Sequence, residues 1–169
     1  MGKARDKKRT SGATRAARVL ESLELPFEML EYEIAPDAEE KSLGEAAAAA
    51  LGVSPETMFK TLIAEGTDGL LCAIVPVSGS LSLKVLAAAA GTKKAAMADP
   101  MRAERVTGYV PGGISPLGQL KVLPTFIDAS VSALDEVHVS AGKRGLQLRL
   151  GSANLVAATG AKVVDGLSV

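Results

Sequence analysis

The pattern of apolar and polar positions along the chain predicts short helices mixed with short strands. From Thr14 onward, the apolar positions fall on one helical stripe at Ala16, Val19, Leu20 and Leu23. Pro26 ends this helix, and residues 27–34 alternate as a strand that stops at Pro36-Asp37. The N-terminal part of the fold is therefore predicted to be one amphipathic helix followed by one strand.

Capping signals predict where the next helices begin. Ser42-Leu43-Gly44-Glu45 has the pattern of a capping box, and the alanine-rich helix that follows is predicted to end at Gly52. Ser54-Pro55 places proline at the first helical position and predicts a short helical turn. Further caps at Ser82 and Asp99-Pro100 predict one helix through Ala90 and another through about Arg105.

The remaining apolar runs are short and predict strands. Residues 58–64 and 70–77 flank the turn Gly66-Thr67-Asp68-Gly69 and predict a hairpin. Shorter strands are predicted at residues 125–128, 136–140 and 146–150, then a helix from Ser152 to Gly160 and an edge strand at 161–164. Because strands and helices mix without strict βαβ alternation, we expect one α+β domain over residues 14–169, a curved mixed sheet or barrel with flanking helices.

Residues 107–118, TGYVPGGISPLG, interrupt these patterns, and we call them the Gly-Pro loop. Its glycines and prolines exclude a helix interior or a central strand. Gly112-Gly113 lets a polar ligand approach the backbone closely, and Pro111 and Pro116 stiffen the segment. The loop is either a hairpin turn or the preformed wall of a pocket, and spacing alone favours the turn.

Composition and charge narrow the class of protein. The chain has 169 residues, 47% of them hydrophobic but 3% aromatic, and its formal net charge is zero, which argues against a globally basic nucleic-acid binder. Residues 1–13 are basic without apolar periodicity, so we predict a disordered arm that either touches RNA phosphates or only solubilises the chain. No apolar run approaches the ~18 residues of a membrane span, and we expect a cytoplasmic protein without a membrane partner.

A single histidine and a single cysteine limit the chemistry. They exclude an internal disulfide and a His-rich zinc site, and we expect neither a metal nor another cofactor. His138 lies in an alternating run, which favours a residue on a strand face over a lone catalytic base. Cys72 lies in an apolar run without adjacent charge, which favours an inert core thiol.

Lys60 is the first candidate for chemistry. It lies in the apolar segment MFKTL and shares a strand face with Leu62 and Ala64, so its ammonium either points into an apolar site or snorkels at the rim of the sheet. Tyr32 supplies a hydroxyl at a pocket edge or packs in the core. Lys143-Arg144, between glycines, is either a phosphate-binding turn or a solvated hairpin tip.

Seven short segments occur along the chain in a fixed order: EYE (31–33), GEAA (44–47), FKTL (59–62), MADP (97–100), TGY (107–109), GGISPLGQ (112–119) and VSAGKRGL (139–146). Together they resemble the YbaK family of bacterial Cys-tRNA(Pro) deacylases, relatives of the editing domain of bacterial prolyl-tRNA synthetases. The resemblance covers residues 14–164. It implies a mixed β-barrel-like fold with a pocket for the aminoacyl end of a tRNA.

The resemblance also implies a set of site residues. Lys60 matches the family's essential lysine, and the substrate-binding positions are Tyr32, Phe59, Thr61, Gly112, Gly113, Ile114, Ser115, Pro116, Ser140 and Gly142. Lys143 and Arg144 are expected to contact tRNA phosphates. At Gln147 many relatives carry an acidic residue, so the role of that carboxylate does not transfer. The implied partners are tRNA(Pro) and prolyl-tRNA synthetase.

The implied reaction is trans editing, in which cysteine mischarged onto tRNA(Pro) is removed by attack of its own thiol on the ester. Lys60 would position the substrate, and N–H groups at Gly112-Gly113 or Ser140-Ala141-Gly142 would stabilise the oxyanion. One alternative is a deacylase for another small amino acid, such as alanine, that uses water. The other is a non-catalytic module that binds tRNA or a synthetase.

Overall fold

The computed structural model describes residues 14–35, 37, 39 and 43–169. Its α-helices are α1 (Arg15–Ser22), α2 (Leu43–Leu51), α3 (Leu83–Ala90), α4 (Pro100–Thr107) and α5 (Ser152–Thr159), and a 3₁₀ helix covers Ala129–Ala133. Its strands are β1 (Phe27–Glu31), β2 (Phe59–Gly66), β3 (Gly69–Pro76), β4 (Ala96–Met97), β5 (Thr125–Asp128), β6 (Glu136–Lys143), β7 (Leu146–Gly151) and β8 (Lys162–Val164). The predicted arm, residues 1–13, and Ser42 of the predicted capping box lie outside the described residues.

The strands form a three-stranded sheet of order β1-β7-β6 and a five-stranded sheet of order β4-β2-β3-β5-β8. The smaller sheet is antiparallel, whereas β5 pairs in parallel with both β3 and β8. The predicted α+β class with a curved mixed sheet is confirmed. Over the described residues the sheets do not close into a barrel.

The two sheets meet at the start of β2. Met58 bridges to His138 of β6, and the His138 N–H donates to the Thr57 carbonyl oxygen at 2.9 Å. On its other edge Met58 accepts from the Val77 N–H at 2.7 Å. The backbone just before Phe59 is therefore held on both sides, which fixes the first residues of β2 between the sheets.

The core explains why β3 is an unbroken apolar run. Cys72 and Ile74 pack into one hydrophobic cluster, while Ala73 and Val75 pack into another on the opposite face. A strand buried on both faces needs apolar residues at consecutive positions rather than alternation. β2 pairs with β3 along its whole length but is less buried: Phe59 and Ile63 are buried, Lys60 and Leu62 are half-buried, and Glu65 is exposed.

Most predicted helix ends are confirmed by their caps. The side chains of Thr14, Ser82 and Asp99 each accept from a backbone N–H in the first turn of their helices, and Gly91 ends α3 in the left-handed conformation. At Ser54-Pro55 the predicted short helical turn is a single hydrogen-bonded turn, closed by the Thr57 N–H on the Ser54 carbonyl, and it does not extend into a helix. The first strand ends at Glu31 rather than at residue 34.

Candidate functional site

A cavity of about 330 Å³ opens where the start of β2 meets the smaller sheet. Phe59, Lys60 and Thr61 of β2 line one side of it, together with Leu62. Lys60 is half-buried, and its backbone is fixed by pairing with Val75 of β3. Lys60 and Leu62 both line the cavity, as do their neighbours Phe59 and Thr61, so the lining does not follow strand alternation. Ala64, further along the strand, is fully buried.

The N-terminal end of α2 supplies a second side through Leu43 and Gly44. A Cβ on Gly44 would lie 2.6 Å from Val77 Cγ1, so only glycine lets the helix approach this closely. Val77 and Met58 complete the apolar lining between α2 and β2. Neither Leu43 nor Gly44 was predicted as a site residue, because their approach to Val77 depends on tertiary packing.

The Gly-Pro loop forms the third side, through Gly112 and Ile114. Gly112 has φ +84°, and a Cβ there would lie 2.7 Å from Arg144 Nε and 2.8 Å from Leu43 Cδ1. Position 112 therefore requires glycine for both its conformation and its space. Of the two interpretations of the loop, the structure supports a cavity wall.

Other predicted loop residues lie behind that wall and are absent from the cavity lining. The Gly113 N–H already donates to the Val110 carbonyl at 2.9 Å. Ser115 is fully buried, and its hydroxyl accepts from the Leu117 N–H at 3.2 Å, while Pro116 is also buried. These residues shape the loop, and the N–H of Gly113 is not free to hold an oxyanion.

The β6–β7 hairpin forms the fourth side. Ser140 and Gln147 are directly paired across the hairpin, and both line the cavity. Gly142 lies outside the lining, in the irregular stretch after Ser140, and its N–H donates to Ser140 Oγ at 3.1 Å. The Gly142 N–H is therefore not free, and Gly142 contacts Ser140 rather than the cavity.

Lys143 and Arg144 lie in a shallow neighbouring depression with Glu31, Glu33 and Tyr32. Tyr32 lines both this depression and the main cavity. Arg144 Nε and Nη2 donate to the Pro111 carbonyl at 3.0 and 2.7 Å, so this side chain fastens the Gly-Pro loop. Lys143 is exposed.

The cavity lining carries one charged side chain and two unpaired polar oxygen atoms among the described residues. Lys60 is the only charged residue in its described lining, and no described carboxylate forms an ion pair with it. Thr61 Oγ1 and Gln147 Oε1 are buried without a hydrogen-bond partner among the described residues. Unpaired buried oxygen atoms are unusual in folded proteins, and beside a cavity they indicate a place for a polar ligand.

Cys72 and His138, whose residue types often act as nucleophile or base in enzymes, lie outside the cavity lining. Burial raises the pKa of the Cys72 thiol to about 11. His138 is buried in β6, and burial lowers its pKa, with the nearby Thr57 carbonyl opposing the shift. Neither residue lines the cavity. Both predictions from the sequence, an inert thiol and a strand-face histidine, match this placement.

No group of at least three His, Cys, Asp or Glu side chains suited to a metal ion occurs in the part of the chain that the structure describes. Over the same residues, no helix is both long and apolar enough to cross a membrane.

Residues 38–158 match the family model of the aminoacyl-tRNA editing domain. The chain belongs to this family. It is 36% identical over 160 residues to EbsC of Enterococcus faecalis, a protein assigned as a Cys-tRNA(Pro)/Cys-tRNA(Cys) deacylase, covering 94% of this chain and 96% of that one. The resemblance drawn from the sequence motifs is thereby confirmed.

Solved structures agree with the editing-domain fold. A protein assigned as a trans-editing enzyme for prolyl-tRNA synthetase superposes with a TM-score of 0.76 at 26% identity, covering 90% of this chain and 96% of that one. The hypothetical protein APE2540 gives a TM-score of 0.80 at 24% identity, covering 92% and 100%, and supports the fold alone.

Proposed function

We propose that this editing-domain protein is a trans-acting deacylase that removes cysteine from tRNA(Pro). The observation that carries the proposal is the cavity lining, which offers one cation, Lys60, but no thiol, histidine or carboxylate to attack or activate among the described residues. Such a site suits a substrate that brings its own nucleophile. The relatives assigned to cysteinyl-tRNA deacylation and to prolyl-tRNA synthetase trans editing support the same substrate.

In the proposed reaction the cysteine thiol gives its proton to water, and the resulting thiolate attacks its own ester carbonyl carbon. The C–S bond forms as the C–O bond to the terminal ribose breaks, the ribose oxygen takes up a proton, and a cyclic thiolactone leaves. Water then opens the thiolactone to free cysteine, so the overall reaction is hydrolysis. Because the attack is intramolecular, a cavity that holds the ester in the folded-back geometry contributes mainly by proximity.

Lys60 is the proposed catalytic residue. Its ammonium can hold the ester carbonyl or the nearby ribose-phosphate by charge while the thiol attacks. The Thr61 hydroxyl and the Gln147 amide oxygen are unpaired and buried beside it, and we assign them to polar groups of the aminoacyl moiety. Phe59 and Ile114 supply the apolar surface that limits the size of the side chain. The Gly112 N–H is the remaining candidate from the Gly-Pro loop for holding the oxyanion.

The tRNA end is proposed to approach across the shallow depression next to the cavity. Tyr32 is common to both, and Lys143 and Arg144 provide positive charge there, opposed by Glu31 and Glu33. This mixed charge favours local contact with a terminal phosphate over strong tRNA affinity. Prolyl-tRNA synthetase is the proposed partner, and it would supply the selectivity for the tRNA. The proposed compartment is the cytoplasm.

The test is single-turnover deacylation of Cys-, Ala- and Pro-tRNA(Pro). We expect rapid loss of cysteine, and Lys60→Ala should lower its rate roughly a hundredfold, the size of effect seen when one electrostatic donor is removed from a reaction site. Lys84→Ala, at an exposed position of α3, is the matched control and should keep the wild-type rate. A wild-type rate for Lys60→Ala contradicts the proposed site.

The second candidate is a water-dependent deacylase for another small amino acid. The small apolar cavity favours an alanine substrate as much as a cysteine substrate, because both side chains fit. Replacing cysteine by 2-aminobutyrate on the tRNA separates the two, since this side chain has nearly the same shape but no thiol. Deacylation should collapse in the thiol-assisted reaction and persist in the water-dependent one.

A further inference from the structure

Arg15, the first residue of α1, connects the two ends of the Gly-Pro loop. Its Nε donates to the Gly118 carbonyl at 3.0 Å, and its Nη2 donates to the carbonyls of Gly108 at 2.9 Å and Thr107 at 3.3 Å. The loop begins at Thr107, the last residue of α4, and ends at Gly118, which lies next to the same guanidinium. Backbone bonds already close the base of this segment, from the Leu120 N–H to the Thr107 carbonyl at 3.0 Å and from the Lys121 N–H to the Val106 carbonyl at 3.2 Å. The guanidinium adds side-chain bonds to both ends of the loop.

The end of α4 is a suitable place for this cation. The last carbonyl groups of a helix lack partners within the helix and carry the negative end of its dipole. Thr107 ends α4, and Gly108 follows as its C-cap with φ +80°. The planar guanidinium satisfies these carbonyls and the distant Gly118 carbonyl at once, which a lysine ammonium on its flexible stem matches poorly.

The loop glycines fit around Arg15. A Cβ on Gly108 would lie 2.4 Å from Arg15 Nη2, and a Cβ on Gly118 would lie 2.7 Å from the Arg15 carbonyl carbon. Both glycines also have positive φ values, +80° and +71°. The two ends of the loop are thus shaped to accept this side chain and the start of α1.

Tyr109 extends the connection to the opposite cavity wall. The Arg15 guanidinium lies over the Tyr109 ring at 4.7 Å from its centroid, and the Tyr109 hydroxyl donates to the Leu117 carbonyl at 2.6 Å. The same ring packs on Gly142, where a Cβ would lie 2.6 Å from Tyr109 Cε1. Gly142 in turn holds Ser140 through its N–H.

We propose that Arg15 is a positioning residue that sets the spacing between the Gly112–Ile114 wall and the Ser140 wall of the cavity. It is not part of the cavity lining and acts through Tyr109 and the loop ends. The inference rests on the proposed deacylase function for its kinetic consequence, but the spacing itself is a property of the fold. Without Arg15 the base of the loop relies on its backbone bonds, its ends are less firmly fixed, and the ester is held less often in its reactive geometry.

The experiment compares Arg15→Met and Arg15→Lys with Arg18→Met, a variant at a position on the same helix for which no contact to the Gly-Pro loop is seen among the described residues. Hydrogen exchange followed by mass spectrometry reports the mobility of the loop, and steady-state deacylation over a range of Cys-tRNA(Pro) concentrations reports kcat and KM. For Arg15→Met we expect roughly tenfold to hundredfold faster exchange in residues 107–118 and 140–142. We also expect roughly tenfold lower kcat, with KM changed less than about threefold. Arg15→Lys should restore part of both, and Arg18→Met should match the wild type.

The outcomes separate this inference from the proposed function. If the wild-type protein deacylates no tested tRNA, the proposed function fails, while faster loop exchange in Arg15→Met still supports the connection. Unchanged loop exchange in Arg15→Met overturns the inference, and so does faster exchange with wild-type kcat and KM in an active enzyme. If Arg15→Met does not fold, Arg15→Lys decides, because it keeps the charge and the apolar stem but loses the planar donor set.

Discussion

At the scale of single residues, Thr61 poses a conflict between stability and function. Its side-chain oxygen is buried without a partner among the described residues, yet the residue lines the cavity. A buried hydroxyl that makes no hydrogen bond costs folding free energy, typically about 1–3 kcal/mol. Native proteins retain such a group where a ligand, an ordered water or a catalytic role uses it.

Thr61→Val is therefore expected to stabilise the free protein by about 1 kcal/mol, since it replaces the hydroxyl with a methyl group of similar size. The same variant should deacylate Cys-tRNA(Pro) more slowly, because the substrate loses a polar contact. Urea denaturation and single-turnover kinetics measure the two effects.

Thr107→Val provides the contrast. Thr107 is also buried, but its hydroxyl donates to the Ala103 carbonyl at 2.8 Å, so the substitution should destabilise the protein by about 1–3 kcal/mol. Equal stability changes at both positions would contradict the assignment of Thr61 Oγ1 as an unpaired atom.

At the scale of elements, the Gly-Pro loop shapes the cavity through one position that accepts no side chain. Gly112→Ala would place a methyl group against Arg144 and Leu43 and strain a backbone at φ +84°. We expect a loss of about 1 kcal/mol or more in the free energy of unfolding, together with a strong loss of deacylation.

Gly52→Ala is the matched control for that prediction. Gly52 also has a positive φ, +68°, but a Cβ added there would have no atom within 4 Å. It should show the conformational cost, about 1 kcal/mol, without loss of activity. Full activity in Gly112→Ala would mean that the loop does not form the cavity wall.

Elements that depend on local signals could be predicted from the sequence. The β2–β3 hairpin follows from two apolar runs around Gly66-Thr67-Asp68-Gly69, and the α3 and α4 caps follow from Ser82 and Asp99. The two-residue strand β4 was missed because it is too short to show alternation. The residue pattern singled out Lys60 and Tyr32 but left two interpretations open for each, and the family motifs added Phe59, Thr61, Ile114 and Ser140 to the predicted lining.

Connections between distant segments could not be predicted. Arg15 looks like an ordinary surface arginine in the sequence, and Arg144 is predicted there as a phosphate contact, since nothing nearby in the chain marks a carbonyl partner for either. Their carbonyl partners on the Gly-Pro loop lie 92 to 103 positions away for Arg15 and 33 positions away for Arg144. Gln147 likewise reaches the cavity only because it pairs with Ser140 across the hairpin.

At the scale of the whole molecule, His138 holds the seam between the two sheets through its backbone bond to Thr57. Burial lowers the pKa of its side chain from the ordinary value of 6.5, and the neighbouring Arg149 adds to this while Glu136 opposes it. The unfolded chain therefore takes up a proton at a higher pH than the folded protein does.

Stability should accordingly fall as the pH is lowered through 6.5, and the loss should level off below the folded pKa of His138. Above pH 6.5 the His138 side chain is neutral in both the folded and the unfolded chain, so it no longer lowers the stability. His138→Gln cannot be protonated, so the difference in unfolding free energy between wild type and variant should change over this pH window. Urea denaturation at a series of pH values measures it, and a difference independent of pH would contradict the prediction.

The burial of Cys72 has a consequence for the product of the proposed reaction. Each turnover would release free cysteine next to the protein, and exchange with cystine proceeds only through a thiolate. With a thiol pKa of about 11 and no exposed surface, Cys72 presents almost no thiolate at neutral pH. As the chain has no other cysteine, it offers no point for mixed-disulfide formation, and changes in the cellular cysteine–cystine balance should leave the deacylase unmodified.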